Sequence, residues 1–289
     1  MIELEDASEF IENYEKTTKR KVYRFPFSLN NNQESAILMV KCGSKYISLP
    51  YLSQGVIETK PKTFNSPIFP KNWEIRDVKP YSKHSYNDKV NFEINLQDVY
   101  NYTSNIRRKI KKSKDNKIEV KSGKSEEIIN DFYLVYAKRM HQIGVPPRSK
   151  SHIRKNIKNN KSLLFVAYKD NKPIGSASLQ KITEAYYENI LFASLSNYMH
   201  FYTSYALHHS MIEYSKTNNA STYSFGRSTK DSSVYKFKKH FKAQEVPLYW
   251  SFSRKTKSLR NNQWFFNLWK LLPYHITIKL GESIHKRIY

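Results

Sequence analysis

The stretch from Leu163 to Phe225 most constrains the fold. Three apolar runs, Leu163–Tyr168, Ile174–Leu179 and Ala185–Leu195, follow one another, with Asp170-Asn-Lys as a turn between the first two. A helical pattern over Phe201–Thr217 comes next, then a short strand pattern over Thr222–Phe225. A meander that passes into a strand–helix–strand step needs one twisted sheet with helices against its faces. Around it, Val99–Lys114, Glu126–Gln142, Ser151–Asn159 and Ser232–Phe241 read as helices, and Pro247–Phe252 as a last strand. Ser125 is a ready N-cap with acidic residues in the following turn, while Gly144 and Pro146-Pro147 stop that helix. The expected fold class is therefore mixed α/β.

The residues before this region read differently. Asp6–Lys19 has helical spacing. Ala36–Cys42 and Lys45–Leu49 flank Gly43-Ser44 as a hairpin, residues 50–55 and 60–72 read as loop, and Trp73–Val78 and Val90–Leu96 as strands. The chain divides on this reading into 1–97, 98–260 and a tail, 261–289, whose Asn262–Leu272 is dense in Trp, Phe and Leu. Aromatics beside Lys270, Lys286 and Arg287 suit either an interfacial membrane contact or a helix packed on the protein's own core.

Charge adds a class of partner. Forty-nine Lys and Arg face 25 Asp and Glu, a net +24. Such a surface attracts nucleic acid, anionic headgroups or a phosphorylated cofactor. With 22 Tyr and 16 Phe the 289 residues can build a core, which excludes disorder as the default. Cys42 is the one cysteine, lies in an apolar strand and reads as a core thiol. No Cys cluster or His-Glu-x-x-His spacing suggests a metal. The acidic start Met1-Ile-Glu-Leu-Glu-Asp lacks the apolar region of a signal peptide, and no apolar run approaches the ~20 residues of a membrane span. A cytoplasmic protein, in peripheral contact with the inner membrane face at most, is expected.

Several segments, in order, resemble the FemAB-like acyltransferases, especially the branch associated with polysaccharide export and the cell envelope. They are Tyr46-Ile-Ser-Leu-Pro-Tyr-Leu-Ser-Gln-Gly55, Ser104-Asn-Ile-Arg-Arg-Lys-Ile-Lys-Lys112, Asp131-Phe-Tyr-Leu-Val-Tyr with Met140-His-Gln-Ile-Gly-Val-Pro146, and Leu268-Trp-Lys-Leu-Leu-Pro273. The most specific is Phe225-Gly-Arg-Ser-Thr-Lys-Asp-Ser-Ser-Val-Tyr-Lys-Phe-Lys-Lys239. The resemblance implies tandem GNAT-like domains, a degenerate first half (1–97) and an acyltransferase half (98–260). It implies transfer of an acyl or aminoacyl group from acyl-CoA or aminoacyl-tRNA to an envelope glycan or peptide. The sequence departs from the family pattern at Ser224, where Asp is usual, at Lys242, where Gly is usual, and at Thr203, which stands for an Asn.

Acyl transfer needs an oriented acceptor and cationic or N–H stabilisation of the carbonyl oxygen. Gly226 permits an unusual turn after a strand, Arg227 offers a fork for phosphate or carboxylate, and Ser228 is a short donor beside it. Tyr235 and Lys238, three apart, share one side of the next helix. Lys238 is the expected oxyanion or phosphate contact, Lys236 the second choice, and Asp231 either a general base or the cap of that helix. Arg107 and Arg108 are expected contacts to an anionic donor. For all these cations the competing reading is a solvated helix face. His208 and His209 read as structural. No Gly-rich acyl-CoA loop is visible, which weakens conventional acetyl-CoA use. Two other readings compete: tRNA-dependent aminoacyl transfer to a peptidoglycan precursor, and a non-catalytic nucleic-acid-binding protein, for Tyr and Phe interleave with Lys throughout.

Overall fold

A computed structural model describes residues 1–28, 34–65, 68–97, 102–159, 161–255 and 263–288. The first part holds β1 (Ile2–Leu4), α1 (Ser8–Thr18), β2 (Val22–Ser28), β3 (Glu34–Cys42), β4 (Lys45–Ile47), β5 (Val56–Glu58), β6 (Trp73–Asp77) and β7 (Ser85–Asn95). There follow α2 (Ser104–Asp115), β8 (Glu119–Gly123), α3 (Glu126–Ile143), α4 (Lys150–Asn159), β9 (Ser162–Lys169), β10 (Lys172–Lys181) and β11 (Tyr186–Ser194). A 3-10 turn at Ser196–Phe201 leads to α5 (Thr203–Thr217), β12 (Thr222–Ser224), β13 (Ser228–Thr229), α6 (Ser233–Lys239) and β14 (Gln244–Phe252). The tail is α7 (Gln263–Leu271) and α8 (Tyr274–Ile288).

All 14 strands join one mixed sheet, in the order β1-β5-β3-β4-β6-β14-β7-β12-β11-β10-β9-β8, with β2 on β3 and β13 on β7. The meander is antiparallel through β8, β9, β10 and β11, and β11 then runs parallel to β12 after the α5 crossover. The expected mixed α/β sheet is present. β7 lies between β14 on one edge and β12 and β13 on the other, antiparallel to all three. Its Val90, Phe92 and Ile94 alternate inward, under α5 and α6.

The helices cover opposite faces because their apolar stripes demand it. Ile106 and Ile110 of α2 pack with α5 on one face, while α3 and α4 cover the other with Ile128, Phe132, Val135, Ile153 and Ile157. A third cluster joins α1, β3 and the loop after β4 to Ile182, Tyr186 and Ile190 of the later part, so apolar packing continues across residue 97.

Several expected limits move. The helix expected over 99–114 begins at Ser104, with Thr103 Oγ1 accepting the Ile106 N–H at 3.2 Å; residues 98–101 lie outside the described residues. β14 starts at Gln244 and runs through Pro247, which falls where β7 alone borders the strand, so the absent N–H breaks no second ladder. β2 with Pro26 was not legible as a strand; it pairs with β3 alone. The tail packs on the protein. Trp269 is 3% exposed, and a Cβ on Gly144 would stand 2.2 Å from the Phe266 carbonyl oxygen. Leu268 and Leu271 of α7 nevertheless face outward. Cys42 is half-buried, accepts from Arg20 Nη1 at 2.9 Å, and has its thiol pKa raised by burial.

Candidate functional site

β11 and β12 pair at only three positions, Tyr186–Thr222, Tyr187–Tyr223 and Glu188–Ser224. Past Ser224 the chain turns at Gly226 and joins β7 as β13. Gly226 has φ +71, and a Cβ there would lie 2.5 Å from the Asn189 carbonyl oxygen, so no side chain fits. α6 then delivers Lys238 to this turn, where its Nζ donates to Gly226 O at 2.7 Å and Arg227 O at 3.3 Å. Lys238 is 6% exposed, and burial draws its amine down to about 7, with Glu188 opposing the shift and Arg227 adding to it.

Glu188 acts on this amine through its field, without a direct ion pair. It is 1% exposed, and burial raises its carboxyl to about 7 against the pull of Ser53 and Arg227. Its Oε1 accepts the Ser53 hydroxyl and, at 3.2 Å, the Ser53 N–H. Its Oε2 is buried with no hydrogen-bond partner among the described residues, as is Ser228 Oγ. Glu188, Ser224 and Glu93 stand in register on three adjacent strands, so they share one face. Glu93 Oε1 accepts from Tyr186 Oη at 2.7 Å and Asn91 Nδ2 at 2.8 Å, and burial raises its pKa. Ser224 Oγ donates to Asn91 Oδ1 at 3.0 Å and accepts the Gly226 N–H at 3.1 Å.

The loop after β4 closes over this row. Arg227 donates from its N–H to Ser53 Oγ at 3.0 Å and from Nη1 to Leu52 O at 3.0 Å. Arg76, buried beside Glu74, donates from Nη1 to Pro50 O at 2.8 Å, and both guanidiniums lie over the Trp250 ring. The site therefore straddles the loop from the first part and the β11–β13 opening of the second.

The expected residues distribute as follows. Gly226, Arg227, Ser228 and Lys238 come together. The Arg227 fork, expected to meet phosphate, is engaged by loop carbonyls instead. Tyr235 and Lys238 diverge from their shared side: the Tyr235 hydroxyl reaches Glu245 Oε2 at 2.8 Å, away from the buried amine. Asp231 is exposed at φ +60, and the α6 cap is Ser232, whose Oγ accepts the Tyr235 N–H at 3.1 Å. Lys236 is exposed. Arg107 and Arg108 are exposed on α2 and bond locally, to Tyr102 O and Asn105 Oδ1. Lys109 and Lys112 of the same helix turn instead toward the start of α5, over the Tyr205 and Tyr202 rings, and Lys169 lies over Phe201.

The residues not foreseen are Glu188, Ser53, Glu93 and Lys109. One sign was present for Glu188, a carboxylate inside the apolar run 185–195. His208 is structural, 2% exposed, stacked 4.5 Å from Phe192 and bonded through Nδ1 to Tyr223 Oη at 2.8 Å; burial and Lys238 hold its pKa well below the usual range.

The α/β sheet thus parts beside a buried amine and a buried carboxyl, at a composite site. The FemAB family model matches residues 71–262, two thirds of the chain, and the chain belongs to the FemAB family. The fold is similar to the C-terminal domain of a putative lysylphosphatidylglycerol synthetase from Agrobacterium fabrum, at TM-score 0.62 and 11% identity over 84% of this chain and 86% of that one. It is also similar to L-PGS from Bacillus licheniformis, at 0.58 and 10% over 94% and 99%, and to FemX, at 0.56 and 11% over 84% and 90%. Among curated proteins, none matches the sequence.

Proposed function

We propose that the chain is an acyltransferase that moves an acyl or aminoacyl group onto an amine or hydroxyl of a cell-envelope glycan or peptidoglycan precursor. The observation that carries this reading is that a buried amine, Lys238, and a buried carboxyl, Glu188, both stand at the Gly226 turn in the strand opening. Such a pair suits a reaction in which a carbonyl oxygen gains charge while an attacking amine loses a proton. Lys238 supplies the cation toward the oxygen. Glu188 Oε2 accepts the proton lost as the acceptor nitrogen or oxygen bonds the acyl carbon, and the donor's ester or thioester bond breaks, the tRNA hydroxyl or CoA thiol leaving with that proton. For an acceptor to reach Glu188, the Pro50–Gln54 loop lifts from Arg227 and Arg76. On this reading residues 1–97 supply the covering loop and 98–260 the reactive half.

The donor is acyl-CoA or aminoacyl-tRNA, and one feature favours the second. The link from β11 to α5, Leu195–Tyr202, has no glycine and carries Tyr198, Met199, His200 and Phe201. A pyrophosphate cradle needs close backbone approach, which these side chains oppose. Lys109, Lys112 and Lys169, held beside aromatic rings at one end of the sheet, offer cations to an RNA end. The similar domain named for a putative lysylphosphatidylglycerol synthetase fits the same reading. A non-catalytic nucleic-acid binder would have no use for the buried Lys–Glu pair. The protein works at the cytoplasmic face, with outward Leu268 and Leu271 beside Lys270 in peripheral contact with anionic lipid.

Calorimetry against acetyl-CoA, free CoA and charged tRNA tests the donor. Charged tRNA should bind saturably, and Lys109→Ala with Lys112→Ala should weaken it at least tenfold. Binding of CoA alone moves the donor to acyl-CoA, and binding of neither removes the donor assignment.

A further inference from the structure

On the sheet face opposite Glu188, an open cavity of about 180 Å³ lies at the far end of the meander. Neighbouring strand residues point to opposite faces, so Tyr187 lines this cavity while Glu188 belongs to the site above. Three cations reach it from three separate connections: Lys124 before α3, Lys161 before β9 and Lys181 at the end of β10. Tyr187, Tyr214 and Asn218 complete the polar wall, over a floor of two leucines.

We propose that this cavity binds a small phosphate monoester. Three lysines line one concavity, lysine ammonium groups are donors a phosphoryl dianion takes, and no carboxylate lines the cavity to oppose it. Two of the lysines have carboxylates outside the cavity, Lys181 with Glu184 and Lys161 with Glu9 at 3.2 Å. Both acids are largely exposed, so these pairs are weak and yield to a better anion. No described carboxylate lies within ion-pair distance of Lys124. The α5 C-terminus, whose carbonyls disfavour an anion, is closed there: Asn218 Nδ2 donates to Tyr214 O at 2.8 Å. The floor of Leu163 and Leu179 leaves a small apolar surface for an organic substituent, and the volume admits one phosphoryl group with such a group attached.

Calorimetry of the full chain with phenyl phosphate, with phenol and a uridylate dodecamer as comparators, tests the assignment. Phenyl phosphate should bind one to one, at least tenfold more weakly to Lys124→Glu and to Lys181→Ala, and unchanged to Lys238→Met, while phenol should not bind. Equal affinity in the lysine variants, or no binding, overturns the site. Dodecamer binding lost in the variants without phenyl phosphate binding overturns the monoester and assigns the cavity to an RNA backbone. Because Lys238→Met is the control, failure here is separable from failure of the proposed transfer chemistry.

Discussion

The Glu188 carboxyl, folded, holds its proton to about 7, against 4.5 for an ordinary glutamate. The folded state therefore binds a proton that the unfolded chain releases between those values. Its contribution is full below pH 4.5 and is lost as pH rises through 7. Lys238, depressed to about 7 from 10.5, works in the other window: its contribution is full above 10.5 and is lost as pH falls through 7. The Glu188 contribution should thus fall by up to about 3 kcal/mol between pH 4.5 and 7, opposed over that window by buried His208, whose lowered pKa favours the folded state as pH rises. Urea denaturation of Glu188→Gln should show that slope flattened; an unchanged slope contradicts the placement of the buried proton. The departures from the family pattern also have local reasons. An Asp at 224 would put a third buried carboxylate between Glu188 and Glu93, and Ser224 avoids it while bonding Asn91. Thr203 is fully buried against Gly175, with its hydroxyl on Tyr198 O at 3.1 Å. Lys242 adopts φ +54, the conformation glycine takes without strain. Lys242→Gly should raise stability by about 0.5–1 kcal/mol, read as a higher urea midpoint at constant slope.

Among the elements, long apolar runs and caps were legible because their causes are local. The meander, α3 with Ser125 and Gly144, and α5 all follow from periodicity and terminal residues. β1, β5 and β13 were not, because two or three residues carry no period and their pairing is fixed by distant strands. The Gly226 turn was legible as an unusual turn after a strand, while its positive φ and its contact with Asn189 came only with the sheet. Gly226→Ala should cost more than about 2 kcal/mol, since both φ and the 2.5 Å approach to Asn189 O forbid a Cβ. Thermal denaturation checks this, and a loss under 1 kcal/mol would mean the turn adapts. The same limit explains the site assignments. The sequence placed cations on α2 and α6, but which of them turn inward depends on α5 and β11, so Lys238 and Lys109 face partners while Arg108 and Lys236 face solvent.

At the level of the whole molecule, the site exists only where the two parts meet. Ser53 and the Pro50–Leu52 carbonyls come from before residue 97; Glu188, Arg227 and Lys238 come from after it. α1 also packs on α4, and Arg148 lies 4.6 Å from the Tyr51 ring centre. Sequence reading found the loop and the turn as separate motifs; their juxtaposition belongs to the sheet, through β7 between β14 and β12. Ser53→Ala should remove two of the hydrogen bonds that hold the loop, the Glu188–hydroxyl and Arg227 N–H contacts. Limited proteolysis should show faster cleavage near residue 52, with the core spared. The most direct test of the central claim is single-turnover transfer of labelled aminoacyl groups from charged tRNA to a lipid-linked peptidoglycan precursor. Wild type and Lys238→Met should be compared at pH 7, with folding verified for each. Transfer by the wild type and at least a hundredfold slower transfer by the variant, with donor binding kept, are expected. Transfer at equal rates would contradict the role of the buried amine.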